Sequence, residues 1–207
     1  RAPGLVSRFR NLLHHHVHAS SAGEAETFWA GLGAVRREAF EAVGGFDPAR
    51  FPHPSVEDIH LRMRMGGRGS RLLLDPAIRG RHLKAWSAAA MVRTDFSRRG
   101  VPWVRLLLRD RRGGTALNLG WRHRASAAGT VVLTLAVLDR PPRLALAGLL
   151  AGLILNRDLY ALLARRGGPR LLLAGVPLHL VHQLTAVASL AHPVDCSANW
   201  RRPSPVS

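Results

Sequence analysis

The sequence is short of several residue types, and each shortage narrows what the protein can be. The 207-residue chain has a single cysteine, Cys196, which excludes an intrachain disulfide and a cysteine-rich metal site. Acidic residues are also scarce, with 13 Asp and Glu against 30 Lys and Arg and a formal net charge of +17. Lys84 is the only lysine, and arginine suits phosphate oxygens better than lysine does. This composition predicts an acidic partner: nucleic acid, anionic lipid headgroups or a phosphate-bearing substrate.

The chain also lacks an initiator methionine and a hydrophobic signal region at its start, which reads RAPGLVSRFRN. Its length allows one packed domain with an appendage. We therefore expect a fragment that begins within a domain.

Residues 24 to 85 alternate short apolar runs with Gly and Pro, which is typical of a mixed α/β domain. FWAGLGAV predicts a strand, REAFEAVGG a short helix closed by glycine, and FDPARFPHPS a loop. RLLLD and AIRGRHL predict two short extended segments.

A helix is predicted from Ser55 to about Met65, and the acidic pair Glu57 and Asp58 lies in its first turn. Its apolar face carries Val56, Ile59 and Met63. One interpretation of the acidic pair is structural, because Ser55 and Asp58 have capping-box spacing and Asp58 can pair with Arg62. The other is catalytic: a carboxylate kept ionised by the helix dipole and nearby arginines can take a proton from a hydroxyl group.

Residues 87 to 124 are basic and contain tryptophan. Arginines interspersed with large apolar side chains are typical of a helix lying among lipid headgroups. An ordinary amphipathic helix packed on the domain has the same composition.

Residues 125 to 192 are mostly apolar and predict two or three membrane helices. The runs 125–138 and 144–155 flank DRPPR and predict either a tight transmembrane hairpin or a re-entrant one. The run 171–191 is long enough to span although it contains histidine and glutamine. Residues 193 to 207 form a polar tail. The positive-inside rule places the flanking arginines, and hence the preceding domain, in the cytoplasm. These arginines are Arg122, Arg124, Arg157, Arg165, Arg166 and Arg170.

Several further residues have both a functional and a structural interpretation. His82 follows an apolar run and is either a metal ligand or a polar strand end. Gly33 either admits a ligand close to the backbone, with Arg36 turned toward phosphate, or is a packing glycine. The run 14–16 consists of three histidines that do not converge on one ion, and we expect it at the surface.

Taken in order, the glycine-containing strand, GGFD, the ED pair and HLKAW resemble the second half of the catalytic domain in family 2 glycosyltransferases, which are inverting enzymes of the GT-A fold. The continuation MVRTDFSRRGVPWVRLLL, LNLGWRHR and the hydrophobic tail are similar to a bacterial membrane-attached branch of that family. The resemblance covers roughly residues 5 to 190. It implies an α/β fold, with a partial GT-A domain over residues 1 to 86, followed by transmembrane helices.

The resemblance also implies roles for individual residues. Asp58 would be the general base that deprotonates the acceptor hydroxyl, with Glu57 supporting it, and His82 would contact the metal or the donor diphosphate. Residues lining the substrate pocket would be Gly33, Arg36, Asp47, Arg64, Trp86 and Arg93. The implied partners are a nucleotide-sugar donor, membrane lipids and a lipid-linked, glycan or small hydroxylated acceptor at the bacterial inner membrane.

One feature of the family is missing. Such enzymes carry a DxD motif that holds Mg²⁺ or Mn²⁺ against the leaving diphosphate, and no such motif precedes the ED pair. A fragment with this composition is expected to be inactive alone. The alternative is a non-enzymatic membrane adaptor or a protein that binds anionic lipid. A nucleic-acid binder is disfavoured because apolar runs of membrane type do not belong in one.

Overall fold

The computed structural model describes residues 4–20, 23–25, 28–80, 82–110, 120–139 and 142–192, and is 70% helical. The tail 193–207, with Cys196, and residues 111–119 of the predicted basic region lie outside the described residues. The elements in chain order are α1 (Leu5–Ala19), β1 (Gly23–Glu24), α2 (Arg37–Glu41), α3 (Glu57–Gly66), β2 (Leu73–Leu74), α4 (Ala88–Arg93), a π-helical segment (Thr94–Gly100), α5 (Val101–Asp110), α6 (Trp121–Asp139), α7 (Pro142–Leu155) and α8 (Arg157–Ala191).

The predicted α/β class with a partial GT-A domain is wrong. Within the described ranges the only sheet has two strands, in which β1 pairs antiparallel with β2. FWAGLGAV forms a turn, closed by a hydrogen bond from Leu32 N–H to the Trp29 carbonyl oxygen at 3.3 Å. An apolar run becomes a strand only where a neighbouring strand satisfies its backbone groups. Among the residues that the structure describes, no strand pairs with this segment, and its glycines weaken it further.

The first core joins the N-terminal helix to the C-terminal one. Phe9 and Leu13 of α1 pack with Met91 of α4 and with Leu159 and Leu163 of α8, and all five are buried. At about 25 cal/mol per Å² of apolar surface removed from water, burial of each large side chain stabilises the folded state by about 2 kcal/mol. The two ends of the described chain are therefore held together by one apolar cluster.

A second core lies under α3. Val56, Phe51 and Leu106 are buried together, with Ile59 and Met63 packed against them. The predicted apolar face of α3 is thus confirmed. Leu106 belongs to α5, so this helix packs on the α3 unit through one face while Leu108 remains exposed on the other.

The start of α3 differs from the prediction. The helix begins at Glu57, and Ser55 does not cap it. The Ser55 hydroxyl instead donates to the Arg98 carbonyl oxygen at 2.7 Å, and the Ser55 N–H donates to Glu57 Oε2 at 2.5 Å. The Ser55 hydroxyl, which the local pattern predicted to cap α3, forms a tertiary hydrogen bond instead.

The helices α6 and α7 form the predicted hairpin around residues 139–142, and they approach closely. A Cβ on Gly148 would lie 2.8 Å from Leu133 N and 2.9 Å from Gly129 O, which no side chain tolerates. Small residues at such a crossing are typical of membrane helix pairs.

Helix α8 is the one helix, among residues that the structure describes, that is long and apolar enough to cross a membrane. It bends at Gly168 (φ 69°), directly before Pro169. Large apolar side chains on α6, α7 and α8 remain exposed, which fits contact with lipid rather than water. Examples are Leu135, Val137, Leu138, Leu144, Leu146, Ile154, Leu173 and Leu190.

Candidate functional site

The carboxylate of Asp58 lies between its own helix and the turn that precedes α2. It accepts hydrogen bonds from the Ala30 N–H at 3.3 Å and from the Ile59 N–H at 2.8 Å. No described cation pairs with it, and Arg62, the predicted partner, donates instead to the Ala25 carbonyl oxygen. Asp58 therefore links two segments through backbone hydrogen bonds, without a salt bridge to a described cation.

The pKa of Asp58 is raised above its ordinary value. Burial is the largest cause, and the charge of Glu57 adds to it. The two backbone hydrogen bonds and the charge of Arg99 lower the pKa without reversing the shift. The sequence predicted a carboxylate kept ionised by the dipole and arginines, but burial outweighs both. A carboxylate with a raised pKa is a stronger proton acceptor, which suits a general base.

Four aromatic side chains form a cluster beside this carboxylate, which we call the imidazole–indole cluster: His14 and His18 of α1, Trp29 and His82. The His14 ring centroid lies 4.4 Å from that of His18, 4.6 Å from that of Trp29 and 5.6 Å from that of His82. Trp29 directly precedes Ala30, whose N–H binds Asp58. The cluster is thus linked to the carboxylate through the adjacent residues Trp29 and Ala30.

His82 is oriented by α1. Its Nδ1 donates to Asn11 Oδ1 at 2.9 Å, and Asn11 Nδ2 donates to the His82 carbonyl oxygen at 3.2 Å. This pair of bonds fixes the ring and leaves Nε2 as the acceptor nitrogen.

The imidazoles of the cluster favour the neutral form. Burial lowers the pKa of His14 to about 3, assisted by the charges of His18 and Arg99. Burial likewise lowers the pKa of His18 and of His82. The prediction that the 14–16 run lies at the surface is wrong for His14, whose Nε2 is buried and has no hydrogen-bond partner in the described part of the chain. The spacing of His14 and His18, one helical turn apart, was the signal for this inward face.

The cluster does not fit the expected Mg²⁺ or Mn²⁺. Both metals prefer carboxylate, carbonyl and water oxygens, whereas the groups around His82 are imidazoles and an indole. Across the described ranges, no three or more His, Cys, Asp or Glu side chains are arranged to hold a metal.

Two predicted pocket residues are engaged in holding the loop after α2. Arg64 donates to the Val43 carbonyl oxygen at 2.6 Å and to that of Gly45. Asp47 Oδ1 accepts the Arg50 N–H at 2.9 Å. Neither side chain reaches Asp58 by a direct bond.

The remaining predicted residues are spread over the fold. Trp86 is only 9% exposed, lies in the first core, and donates its backbone N–H to Ser7 Oγ at 2.9 Å. Gly33 lies in the turn next to the Phe28 ring, 2.5 Å from where a Cβ would stand. Arg36 and Arg93 are exposed. The structure therefore brings Asp58, Glu57 and His82 to one region and leaves the other residues apart from it.

Sequence reasoning did not find a buried ionic triad between α1, the π-helical segment and α8. Arg10 donates to Asp95 Oδ1 at 2.5 Å, and His182 Nδ1 lies 2.7 Å from Asp95 Oδ2. Burial alone would raise the pKa of Asp95, but the hydrogen bond from His182 and the charge of Arg10 lower it below its ordinary value. A lone aspartate within a basic stretch was the available signal.

The comparisons with known proteins add no identification: no family model, curated protein or solved structure matches this chain.

Proposed function

We propose that this chain is part of a membrane-bound glycosyltransferase and supplies the base that activates the acceptor hydroxyl. The sugar would come from a nucleotide-sugar donor, and the acceptor would be lipid-linked, a glycan or a small hydroxylated molecule. The observation that carries the proposal is Asp58, a half-buried carboxylate with a raised pKa and no cationic partner among described residues. A purely structural carboxylate at a helix start is normally compensated by the dipole and solvent.

An inverting glycosyl transfer needs a general base close to the acceptor hydroxyl. In an inverting displacement the acceptor oxygen attacks the anomeric carbon as the bond to the nucleotide diphosphate breaks. The hydroxyl proton passes to Asp58, and the diphosphate leaves with the electron pair of the broken bond. The Ala30 N–H holds one carboxylate oxygen, so the base keeps a fixed orientation during proton transfer.

The membrane part supports an acceptor that lies at a lipid surface. Arg122 at the start of α6 donates to the Leu155 carbonyl oxygen at 3.1 Å, and it lies 3.7 Å from Asp158 at the start of α8. The start of α6, the end of α7 and the start of α8 thus meet, with Arg122 and Arg157 both beside Asp158. With positive residues on the inner side, this junction and the Asp58 region face the cytoplasm of a bacterial inner membrane.

The test is the Asp58→Asn variant of the natural membrane protein in lipid nanodiscs. Transfer of radiolabelled sugar is measured from a panel of uridine, guanosine and thymidine diphosphate sugars to a bacterial lipid and glycan extract. Loss of one base is expected to slow transfer by about 10²- to 10⁴-fold. Circular dichroism reports whether the variant is folded.

Asp75→Asn is the matched control, because Asp75 also accepts a backbone N–H, from Ala77 at 2.8 Å, but lies exposed on a loop. Its transfer rate should equal that of the wild type. If Asp58→Asn also retains full transfer, Asp58 is not the base.

A membrane adaptor that binds anionic lipid is the second candidate. The exposed arginines Arg36, Arg93 and Arg98 favour it, because they offer positive charge outside the site. Binding to phosphatidylglycerol vesicles without transfer from any donor in the panel would support this function over the enzyme.

A further inference from the structure

Helix α8 folds back on itself at its bend. The Tyr160 hydroxyl lies 3.0 Å from His179 Nδ1, although the two residues are 19 positions apart. A straight helix would hold them about 28 Å apart, at 1.5 Å per residue. Residues 157–167, the first limb, therefore lie beside residues 169–191, the second limb, with the bend at Gly168 between them.

A groove lies between these two limbs and the end of α7. Its volume is about 560 Å³, which is in the range of sites that hold small ligands. The lining is almost entirely apolar and includes Leu153 of α7 and Leu172, Leu173, Val176 and Pro177 of the second limb. Leu173 is 75% exposed, so the groove opens to the outside of the helices.

One end of the groove is positively charged. Arg157 lines the groove, and its Nε lies 3.7 Å from Asp158 Oδ1. Arg122 Nη2 lies 3.7 Å from the other oxygen of the same carboxylate. One carboxylate thus faces two guanidinium groups, and one positive charge is left over. Both pairs are long and exposed, so Asp158 holds Arg157 only weakly.

We propose that this groove binds an acyl chain of an anionic membrane phospholipid, whose phosphate is held by Arg157. Phosphate oxygens accept the N–H groups of a guanidinium, and the excess positive charge favours an anionic headgroup. A hydrocarbon chain fits the apolar lining, whereas an extended peptide would bring backbone polar groups that this lining cannot satisfy.

The surroundings of the groove favour the same occupant. Ile154 and Leu173, at its edges, belong to the exposed apolar surface of α7 and α8. A lipid chain therefore reaches the groove from the bilayer without crossing water. Arg157 begins α8, and an arginine at the end of an apolar helix reaches the level of lipid headgroups. The site needs no sugar transfer, so it stands independently of the proposed function.

Binding is measured on the full chain in detergent micelles by native mass spectrometry, which counts bound lipids. The protein is titrated with phosphatidylglycerol and with phosphatidylcholine that carries the same acyl chains. Phosphatidylcholine has no net charge and is expected to bind about fivefold more weakly. Glycerol 3-phosphate, which has the phosphate without the chains, should not displace phosphatidylglycerol at equal concentration.

Two variants test the charged end and the apolar lining separately. Arg157→Gln should weaken phosphatidylglycerol binding by about tenfold, because charge-assisted hydrogen bonds are lost. Leu173→Trp narrows the groove opening without touching the charge. It should weaken binding by about tenfold or more, since each buried methylene contributes roughly fourfold.

Each variant has a matched control. Arg143→Gln removes the same charge from the exposed start of α7, about 15 Å along the helix from the groove. Leu190→Trp enlarges a side chain that is 67% exposed on the second limb and does not line the groove. Both controls should change affinity by less than about twofold. Asp58→Asn should also leave lipid binding unchanged, even where it abolishes transfer.

Equal binding of the two phospholipids, or equal effects of Arg157→Gln and Arg143→Gln, would overturn the proposal. Unchanged binding by Leu173→Trp would also overturn it, because the phosphate would then bind at the surface alone. Dimers that Leu173→Trp dissociates would assign the groove to a second copy of the chain instead. Displacement of phosphatidylglycerol by an isoprenyl phosphate at tenfold lower concentration would assign it to a lipid-linked acceptor instead.

Discussion

Replacing Asp95 with asparagine tests the tie between α1, the π-helical segment and α8. Asp95 is 5% exposed, and its partner Arg10 is 7% exposed. The variant leaves the Arg10 guanidinium buried without a counter-charge and removes the acceptor of His182. Breaking a buried pair from one side costs about 3–5 kcal/mol. Because Asn keeps one acceptor oxygen for Arg10, we expect the lower value of about 3 kcal/mol, or about a hundredfold in the unfolding constant.

The free energy of unfolding is measured in mixed detergent micelles by circular dichroism as the denaturing detergent fraction rises. Asp158→Asn is the control, since Asp158 pairs with Arg122 at 3.7 Å while 58% exposed. Its loss should cost under about 1 kcal/mol. The double variant Arg10→Met with Asp95→Leu should recover most of the lost stability, because it removes both buried charges. A cost below about 1 kcal/mol for Asp95→Asn would refute the reasoning.

The same triad predicts that the free energy of unfolding falls at acid pH. The pKa of Asp95 in the folded protein lies below its value in the unfolded chain, about 3.9. Its stabilising contribution is therefore complete above about pH 4 and is lost as the pH falls through the folded-state pKa. In the Asp95→Asn variant, the decrease in the free energy of unfolding that comes from protonation of Asp95 should be absent.

Two further predictions concern packing and the histidines. Gly148→Ala should destabilise by about 1–3 kcal/mol, because its Cβ would press on Leu133 N of α6. Gly152→Ala, with nothing within 4 Å of the new Cβ, should instead stabilise by up to about 1 kcal/mol in the same unfolding assay, because alanine favours the helix more than glycine does. Equal values for the two variants would contradict the close hairpin. His14 binds a proton more weakly when folded, with a pKa of about 3, so stability should fall as the pH drops from 6.5 toward 3. Between pH 7 and pH 5 the free energy of unfolding should fall by up to about 2 kcal/mol, since each pH unit contributes at most about 1.36 kcal/mol. His14→Gln should reduce this dependence on pH. An unchanged dependence would contradict burial of the His14 ring.

Helices with a strong apolar pattern were predictable from the residues alone. The face of Val56, Ile59 and Met63 on α3 packs as its spacing indicated, and the runs on either side of residues 139–142 form the expected hairpin. These features depend on local periodicity and on the burial of apolar side chains away from water, and residues close in the sequence determine both. The prediction of a strand at 28–35 was wrong, because a strand depends on a neighbouring strand that the local sequence does not specify.

The sequence by itself determined where the apolar helices lie, how basic the chain is, and that an acidic pair begins α3. Only the tertiary structure decided what these groups experience. The Ser55 hydroxyl donates to the Arg98 carbonyl oxygen and does not cap α3. Burial raises the pKa of Asp58 despite the helix dipole. The His14 ring packs against Trp29 and His82. Each outcome depends on partners 15 to 70 residues away, and contacts at that separation follow from packing rather than from local pattern.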